Sequence, residues 1–367
     1  MTKARDLADF LGNNTSLSTI NNAYAAGTLV PTVTTTNPSL IINGDFRISQ
    51  RGTSFVSPGQ AVYTLDRWAS GMQTTTGAIT VTQETDVPTA SESGSNFVNS
   101  MKIDVTTADT SIAAGDRTSM MYRVEGNDIA FAGFGLAGTR YMTLSFWHKH
   151  TKTGTHSVSF TNSDRNRGYP MEYTQTTTDT WEKAELTFPV DTTGSWFTDN
   201  RIGMNIYFSI AMGANYSGTA NTWAGATIYG TTTTVNNLDS TSNNMLFAGV
   251  KLEAGSEATD FQHTSYGEEL AKCQRYYEER RIEMDYTDDS SASTVYRTYT
   301  IPVQKRATPT IAVTSGLSYW QGGGSVALTV GSNVDINATN KKWNVTGYGL
   351  TNARGLLNGE VSLDAEL

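Results

Sequence analysis

The sequence predicts an all-β fold, in which a large antiparallel jelly-roll sandwich precedes a smaller C-terminal β-domain. Composition is the first reason: hydrophobic residues make up 38% and charged residues 17% of the 367 residues, while Thr, Ser, Asn and 33 Gly are abundant. That usage is typical of short strands joined by turns. The second reason is a series of strand-like segments that follow one another without helices of βαβ length.

Ten strand-like segments predict a sandwich over residues 39–264. Side chains alternate within them, so that Leu144 and Phe146 share one face of a strand, as do Ile206 and Phe208. We expect these faces to form the core between two antiparallel sheets. The predicted strands are residues 40–49, 61–69, 78–86, 100–107, 119–126, 141–150, 156–162, 181–190, 202–213 and 245–253.

The remaining segments predict three further elements. Residues 1–38 open with a helical stripe that includes Leu7 and Leu11 and continue as a Ser-, Thr- and Asn-rich stretch, which predicts a short helix and an extended arm. Residues 265–282 are rich in helix formers and predict one connecting helix of about four turns. Residues 283–367 contain five strand-like segments and predict the second β-domain, whose last strand ends the chain.

Charge and cysteine content narrow the function classes. The formal net charge is -9 and the pI is near 5.0, and no basic run is longer than Arg280-Arg281 or Lys341-Lys342, so nucleic acid is not expected as a partner. Cys273 is the only cysteine, which excludes an intramolecular disulfide and a multi-cysteine zinc site. No secretory signal or membrane-length apolar run occurs, so we expect a soluble protein made in the cytoplasm without membrane insertion.

The chain also lacks the motifs of the common enzyme classes. We find no nucleophile elbow, phosphate loop or Cys-His constellation, and the sequence predicts no enzyme and no cofactor. A glycoside hydrolase would need two carboxylates that face each other across a cleft. The carboxylates near the turns and outward positions of the central strands cannot be paired from the sequence and are interpreted as surface charges: Asp164, Glu172, Asp179, Glu182 and Glu185.

Ordered motifs in the chain resemble those of bacteriophage tail-fibre and receptor-binding virion proteins. The resemblance covers nearly everything from Leu40 onward, and it is the combination in this order that is specific. The matching segments are NGDF at residues 43–46, QRG at 50–52, YTLDRW at 63–68, a Leu-Glu-x-Gly-x-x-Ala-Thr-x-Phe run at 252–261, Glu269-Leu270 with CQRYY at 273–277, Pro302-Val303, Pro309-Thr310 and DAEL at 364–367.

The resemblance implies a homotrimeric subunit of a phage tail, with a sandwich similar to carbohydrate-binding modules. It implies that the N-terminal helix and arm dock on other virion proteins, with Leu7, Phe10 and Leu11 as candidate contacts, while both β-domains project towards a host surface glycan. In such modules a Phe-Glu pair often helps to bind a structural calcium ion. Phe46-Arg47 stands here instead, and an arginine cannot ligate a cation, so we predict no metal.

Sugar binding needs aromatic faces exposed on a rigid surface. If Phe146 and Phe208 point inward, then Trp147 and Tyr207 point outward among small polar neighbours and could form a glycan platform. The alternative is that these rings pack under a loop or against another subunit. The full set of candidate carbohydrate-binding residues is Trp147, Tyr207, Trp196, Trp223, Tyr229 and Trp320.

Two further groups of residues leave alternatives open. His148 and His150 share one strand face, so a threefold axis could gather them around a metal, but exposed histidines at the sheet margin explain the spacing as well. The predicted helix would turn Leu270, Cys273 and Tyr277 to the sandwich and place large hydrogen-bonding side chains on its other face. The residues expected to form an interdomain or subunit contact are Leu270, Tyr276, Tyr277 and Arg280.

The function that fits these features best is a phage virion protein, a tail fibre or receptor-binding subunit that attaches by its N-terminus and recognises a host glycan. One alternative is a head- or tail-decorating protein with only protein partners. Another is a polysaccharide-degrading tailspike enzyme, which would require the facing carboxylates described above.

Overall fold

The computed structural model describes residues 37–73, 75–287, 294–321, 324–327, 342–348 and 354–367. The chain divides into two units, Met1–Asn37 and Pro38–Leu367, and the described helices and strands belong to the second. The helix and arm predicted for residues 1–38 therefore lie outside the described residues, apart from the last two positions. The domain boundaries proposed from the sequence stay predictions.

Most of the described secondary structure is antiparallel sheet, which confirms the all-β prediction. The strands that precede the longest helix are β1 (Ser54–Val56), β2 (Trp68–Ser70), β3 (Ala78–Glu84), β4 (Ser100–Thr107), β5 (Arg117–Glu125), β6 (Tyr141–His150), β7 (Gly154–Thr161), β8 (Gly168–Gln175), β9 (Glu182–Pro189), β10 (Ile202–Met212), β11 (Ser217–Gly218), β12 (Gly230–Thr231) and β13 (Asn244–Ala254). The helices are α1 (Ala90–Ser93), α2 (Gly126–Ile129) and α3 (Tyr266–Gln274), with 3₁₀ turns at Ala130–Ala132, Ala214–Tyr216 and Asn237–Asp239.

Two sheets form the sandwich. One has six strands in the order β1-β3-β4-β13-β6-β9, and the other has five in the order β2-β5-β10-β7-β8. Their facing aromatic rings interlock: Phe146 on β6 lies 5.3 Å from Phe208 on β10, and Phe160 on β7 stacks on Phe188 of β9 at 3.9 Å. These four side chains are buried, as alternation predicts, because each strand turns one face to the core.

Residues 40–49 form turns, so the strand predicted there is wrong. Asn43 and Phe46 adopt left-handed φ angles of 57° and 56°, which a strand does not contain. Gly44 presses against β13, where an added Cβ would lie 2.0 Å from the Val250 carbonyl oxygen. Turn-forming chemistry and this close approach therefore override the apolar character of the segment.

Strand β8 is absent from the strands predicted by sequence. Its residues GYPMEYTQ contain Gly168 and Pro170, which are signals against a strand. A proline is tolerated at a sheet edge because the position facing outward has no hydrogen bond to donate. β8 is an edge strand that pairs only with β7 in its sheet, which explains why the sequence pattern concealed it.

The helix predicted for residues 265–282 is shorter than expected. Helix α3 begins after Ser265, whose side chain accepts a hydrogen bond from the Glu268 backbone, and it ends at Gln274. Strand β14 follows from Tyr277 to Thr287 and pairs with β19 (Arg354–Asp364) along its whole length. Eleven residues of pairing with a distant strand outweigh the local helix propensity of the Glu- and Arg-rich segment.

The C-terminal strands form two small sheets. Their order is β14-β19-β16-β17 in one and β15-β18 in the other, with antiparallel pairing throughout. The other C-terminal strands are β15 (Thr294–Thr300), β16 (Thr310–Gln321), β17 (Gly324–Ala327) and β18 (Lys342–Tyr348).

A buried ion pair ties the end of the chain to the sandwich. The Arg67 guanidinium donates to the Glu366 carboxylate, and the side chains are 1% and 4% exposed. The same guanidinium donates to the Arg123 carbonyl of β5 and lies 3.4 Å from the ring centroid of Tyr276. Tyr276 in turn donates its hydroxyl to Glu125 at 2.7 Å. The Arg67 cation is therefore paired, hydrogen-bonded and stacked, which a buried charge requires.

The polar groups around this pair join four of the segments that resemble phage proteins. Asn43 bonds to the Ile48 and Asp66 backbone, and Asp66 accepts from the Gln50 backbone and side chain at 2.6 Å. The Gln50 amide also donates to the Tyr277 carbonyl at 2.8 Å. We call these residues, together with Arg67, Tyr276 and Glu366, the motif hub. It connects the sandwich, the end of α3 and the chain terminus.

We predict that Glu366→Ala destabilises the protein by about 3–5 kcal/mol, because it leaves the buried Arg67 charge without its partner. Urea unfolding measures this loss. The matched control is Glu360→Ala, which removes an exposed glutamate from β19, the strand just before Glu366, and should change the free energy of unfolding by no more than about 0.5 kcal/mol. Equal effects of the two substitutions would contradict the role given to the buried pair.

Candidate functional site

The outer face of the six-stranded sheet carries a groove built around Trp147. Alternation along β6 turns Trp147 away from the core, as the sequence predicts, and its ring is half-buried. Trp147 pairs across the sheet with Lys183 of β9 and Ala248 of β13. The groove has a volume of about 110 Å³, and its lining includes Ser145, Trp147 and Lys183.

Aromatic side chains from two loops close one side of this groove. Phe97 lies 5.3 Å from Phe261 and 5.2 Å from His263, measured between ring centroids, and both phenylalanines line the groove. Phe97 comes this close to the sheet because position 249 is glycine with a φ of 58°, where a Cβ would lie 2.5 Å from the Phe97 ring. The positions of Phe97 and Phe261 on this side of the groove are therefore determined by their packing against each other and against Gly249.

Charged and polar groups lie two residues further along β6, which continues past Trp147 to Lys149 on the same outward face. Lys149 binds the carboxylates of Asp86 and Asp179 at 2.8 and 3.3 Å, and the Trp181 indole donates to Asp86 at 3.1 Å. Burial works against the Lys149 charge, but these carboxylates raise its pKa above the ordinary value. In the groove itself the Trp147 ring lies beside the polar side chains of Ser145 and Lys183, and an apolar ring with polar neighbours has the chemistry that a sugar requires.

A second aromatic cluster lies at the ends of the strands. Trp196 and Trp223 are half-buried, with ring centroids 5.7 Å apart, and Phe134 lies 4.4 Å from Trp196. Their indole N–H groups donate to the carbonyls of Thr193 and Pro189 at 3.0 and 2.8 Å. The indole N–H groups of both tryptophans are therefore already hydrogen-bonded within the protein. A ligand could contact these residues only through the faces of their rings.

Tyr207 and Tyr229 do not form an exposed platform, so this part of the sequence prediction is wrong. Tyr207 is 1% exposed and Tyr229 2%, with ring centroids 4.3 Å apart. Arg117 stacks over Tyr229 at 4.3 Å. The segment that contains Tyr229 folds back over the outer face of the five-stranded sheet, where Ser209 donates to the Tyr229 carbonyl, and it covers both rings. The alternative of rings packed under a loop is the correct one here.

The other predicted contact residues have different positions. Trp320 lies in β16, where its backbone pairs with Ser325 of β17, and its side chain is outside the described residues, as are Leu7, Phe10 and Leu11. Leu270 is half-buried on α3, whereas Tyr276 and Tyr277 are buried. Arg51 of the sandwich stacks on Tyr277 at 3.5 Å. Arg280 lies in β14 and pairs with Glu278 of the same strand at 3.2 Å.

His148 and His150 are buried in the core, so their interpretation as exposed residues at the sheet margin is wrong. They stack at 5.1 Å, and His156 of β7 lies 4.3 Å from His150. His148 contacts the Gln175 side-chain oxygen at 2.9 Å, and Tyr173 lies 3.3 Å from His150. His148 and His150 share the inward face of β6 with Phe146, and His156 lies on the inward face of β7, so the alternation of the two strands brings the three imidazole rings together in the core.

Among the described residues, no group of three or more His, Cys, Asp or Glu side chains is arranged to hold a metal ion. Arg47, which replaces the expected glutamate, binds Asp45 at 2.5 Å and donates to the Thr264 carbonyl at 2.9 Å. In the same described part of the chain, no helix is both long and apolar enough to cross a membrane.

Sequence reasoning missed three surface residues near the start of β6. Phe131 and Tyr141 are 63% and 42% exposed, and both line an open groove together with Arg140. Tyr141 shares the outward face of β6 with Trp147, so the alternation that identified Trp147 could have identified Tyr141 as well. Phe131 and Arg140 lie in connecting turns and carry no such signal.

Comparisons with known proteins found similar solved structures only at low similarity. No protein-family model matches the sequence, and no curated protein matches it. The enzymatically active domain of tailspike protein 4 of bacteriophage CBA120 is 15% identical, with a TM-score of 0.30, and the match covers 57% of this chain and 22% of that chain. A family 11 carbohydrate-binding module from Clostridium thermocellum is 10% identical, with a TM-score of 0.29 and coverages of 56% and 98%. The xylan-binding CBM22-1 domain from Paenibacillus barcinonensis is 11% identical, with a TM-score of 0.28 and coverages of 60% and 97%.

We predict that acid destabilises the fold through the buried histidines. Burial lowers the pKa of His148 and of His156 from 6.5 to about 4, and it also lowers the pKa of His150 well below its ordinary value. Because the unfolded chain binds protons at a higher pH than the folded one, stability is complete above pH 6.5 and falls as the pH decreases towards 4. His148 and His156 should each contribute up to about 3 kcal/mol to this loss.

Urea unfolding of the protein at several pH values between 7 and 4.5 measures the effect. His156→Gln should reduce the pH dependence, since it removes one of the three imidazoles and keeps a polar side chain of similar length. A free energy of unfolding that stays constant over this pH range would refute the prediction, as would imidazole NMR titrations with midpoints near 6.5.

Proposed function

We propose that this chain is a non-enzymatic subunit of a phage virion, a tail fibre or receptor-binding protein, and that it recognises a host surface glycan. The observation that carries the glycan-binding part is the half-buried Trp147 ring in its groove, which Ser145 and Lys183 also line. A groove of about 110 Å³ is smaller than the pockets that enclose a whole small ligand. It suits a ligand that lies across the surface and inserts one sugar ring against the indole.

Attachment to the virion is assigned to the N-terminal unit. The ordered motifs that resemble tail-fibre proteins support a place in the tail, a trimeric assembly and virion proteins as partners. Met1–Asn37 is separate from the unit that carries the described sheets. An arm of low-complexity sequence gains order by binding a partner, which fits a docking role.

The surroundings of the surface carboxylates favour binding over catalysis. Glu182 accepts hydrogen bonds from the Thr176 and Thr177 backbone at 3.1 and 2.8 Å, and its pKa is lowered by these contacts although burial works against them. Glu185 pairs with Lys183 at 2.7 Å and Asp179 with Lys149 at 3.3 Å. A catalytic acid needs a raised pKa, so Glu182 is not suited to protonate a leaving group, while Glu185 and Asp179 are each engaged by a lysine.

We predict that Trp147→Ala lowers the affinity for a host glycan by about 2 kcal/mol, because it removes the stacking surface in the groove. Binding to an array of bacterial surface polysaccharides provides the measurement. The melting temperature should fall by a few degrees at most, since the ring is only half-buried.

The matched control for this experiment is Tyr266→Ala. It removes an aromatic ring that is 57% exposed on α3 and does not line the groove. Glycan binding should survive this change. If Trp147→Ala binds every polysaccharide as the unchanged protein does, or if it lowers the melting temperature steeply, the groove is not the site.

We predict that deletion of residues 1–38 leaves a folded, soluble protein that no longer joins the particle. The sandwich should persist because the described sheets lie in the separate unit Pro38–Leu367. Circular dichroism reports the fold, and particle composition after complementation reports incorporation. Normal incorporation of the truncated protein would show that the arm has no docking role.

A further inference from the structure

An open groove of about 270 Å³ lies where β6 begins. Its lining includes Phe131, Arg140, Tyr141, Val190 and Gly255. Phe131 is 63% exposed and Tyr141 is 42% exposed, which is unusual for two neighbouring aromatic side chains on one surface. The groove therefore offers two ring surfaces and an apolar floor to a ligand from solution.

Arg140 gives this groove a positive charge that the protein does not neutralise. Its Nη2 donates to the Ala137 carbonyl at 3.1 Å, and its Nε has no hydrogen-bond partner. In the described part of the chain, no carboxylate forms an ion pair with it. The chain as a whole has a net charge of -9, and Lys183, the cation in the Trp147 groove, is paired with Glu185 at 2.7 Å. An unpaired guanidinium beside exposed rings is therefore a specific feature of this groove.

The glycine-rich turn before Arg140 holds the guanidinium in place. Gly133 has a φ of 69°, and a Cβ added there would lie 2.9 Å from the guanidinium carbon. Gly138 has a φ of 122°. Other residues rarely adopt these positive φ angles, so the turn requires glycine at both positions, and the guanidinium lies directly against Gly133.

This groove and the Trp147 groove both lie along the outward face of β6. Tyr141 and Trp147 point from the same face of β6 and are six residues apart, which places them roughly 20 Å from each other. Between them, β9 presents Thr187, Glu185 and Lys183 beside β6. One extended chain of sugars could follow these strands and contact both aromatic positions.

We propose that this groove, the Arg140 groove, is a subsite for a carboxylate-bearing sugar, and that the glycan is therefore an acidic polysaccharide. A uronic acid or similar residue stacks on Tyr141 or Phe131 while its carboxylate accepts hydrogen bonds from Arg140. A planar guanidinium can donate two parallel N–H hydrogen bonds to the two oxygens of a carboxylate. A neutral sugar has no carboxylate and cannot form this charged pair. This inference rests on the proposed glycan-binding function and adds the chemical class of the ligand.

The test uses the full-length protein on an array of bacterial surface polysaccharides, each present in its native form and after chemical reduction of its carboxyl groups. We expect the retained polysaccharides to carry carboxylates and to bind about tenfold more weakly after reduction. Arg140→Gln should produce the same loss on the native forms and little change on the reduced forms. Arg140→Lys keeps the charge and should retain part of the affinity.

Arg201→Gln is the matched control, because Arg201 is an exposed arginine already paired with Asp199 at 2.7 Å, and its loss should leave binding unchanged. Retention of neutral polysaccharides alone would overturn the inference, and so would equal binding of the Arg140→Gln variant and the unchanged protein to acidic ones. In either case Trp147→Ala still tests glycan binding separately. If the protein retains no polysaccharide, the proposed function fails and the subsite fails with it.

Discussion

The buried ion pair between Arg67 and Glu366 is the contact on which the arrangement of the described unit depends. It joins residues 299 positions apart and lies where the sandwich, the end of α3 and the C-terminal sheet meet. A buried pair of this kind contributes little net stability compared with apolar residues, yet it strongly penalises any arrangement that separates the charges. The pair therefore specifies which surface of the sandwich the C-terminal residues contact. Its contribution to the net stability of the fold is smaller than this contribution to specificity.

The motif hub also brings together residues from several of the segments that resemble phage proteins. Asn43, Gln50, Asp66 and Tyr277 contact one another through their side chains or backbone, although they are far apart along the chain. Polar groups buried together must all be satisfied, so a change in one of them affects the others. The hub therefore has a structural role, and it contains no direct information on a ligand.

The alternation of apolar and polar residues predicted correctly which side chains of a strand point to the core and which point outward. The alternation in β6 and β10 identified the inward Phe146 and Phe208 and the outward Trp147, because one face of each strand is buried. The prediction of a helix over residues 265–282 was wrong from Tyr277 onward, because pairing with β19 overrides the local helix propensity. The prediction that Tyr207 is exposed was wrong because a segment distant in sequence covers the ring. Arg140 could not be found by sequence, since its environment depends on the path of a glycine-rich turn.

Hub and surface are subject to different constraints. The hub residues are buried and hydrogen-bonded to partners throughout the chain, so their substitution costs stability. Trp147, Tyr141 and Phe131 lie partly or largely in solvent, and Arg140 makes a single side-chain hydrogen bond to a backbone carbonyl. Such positions can change with small effects on the fold. A protein built in this way can keep its frame while the side chains that line its surface grooves change.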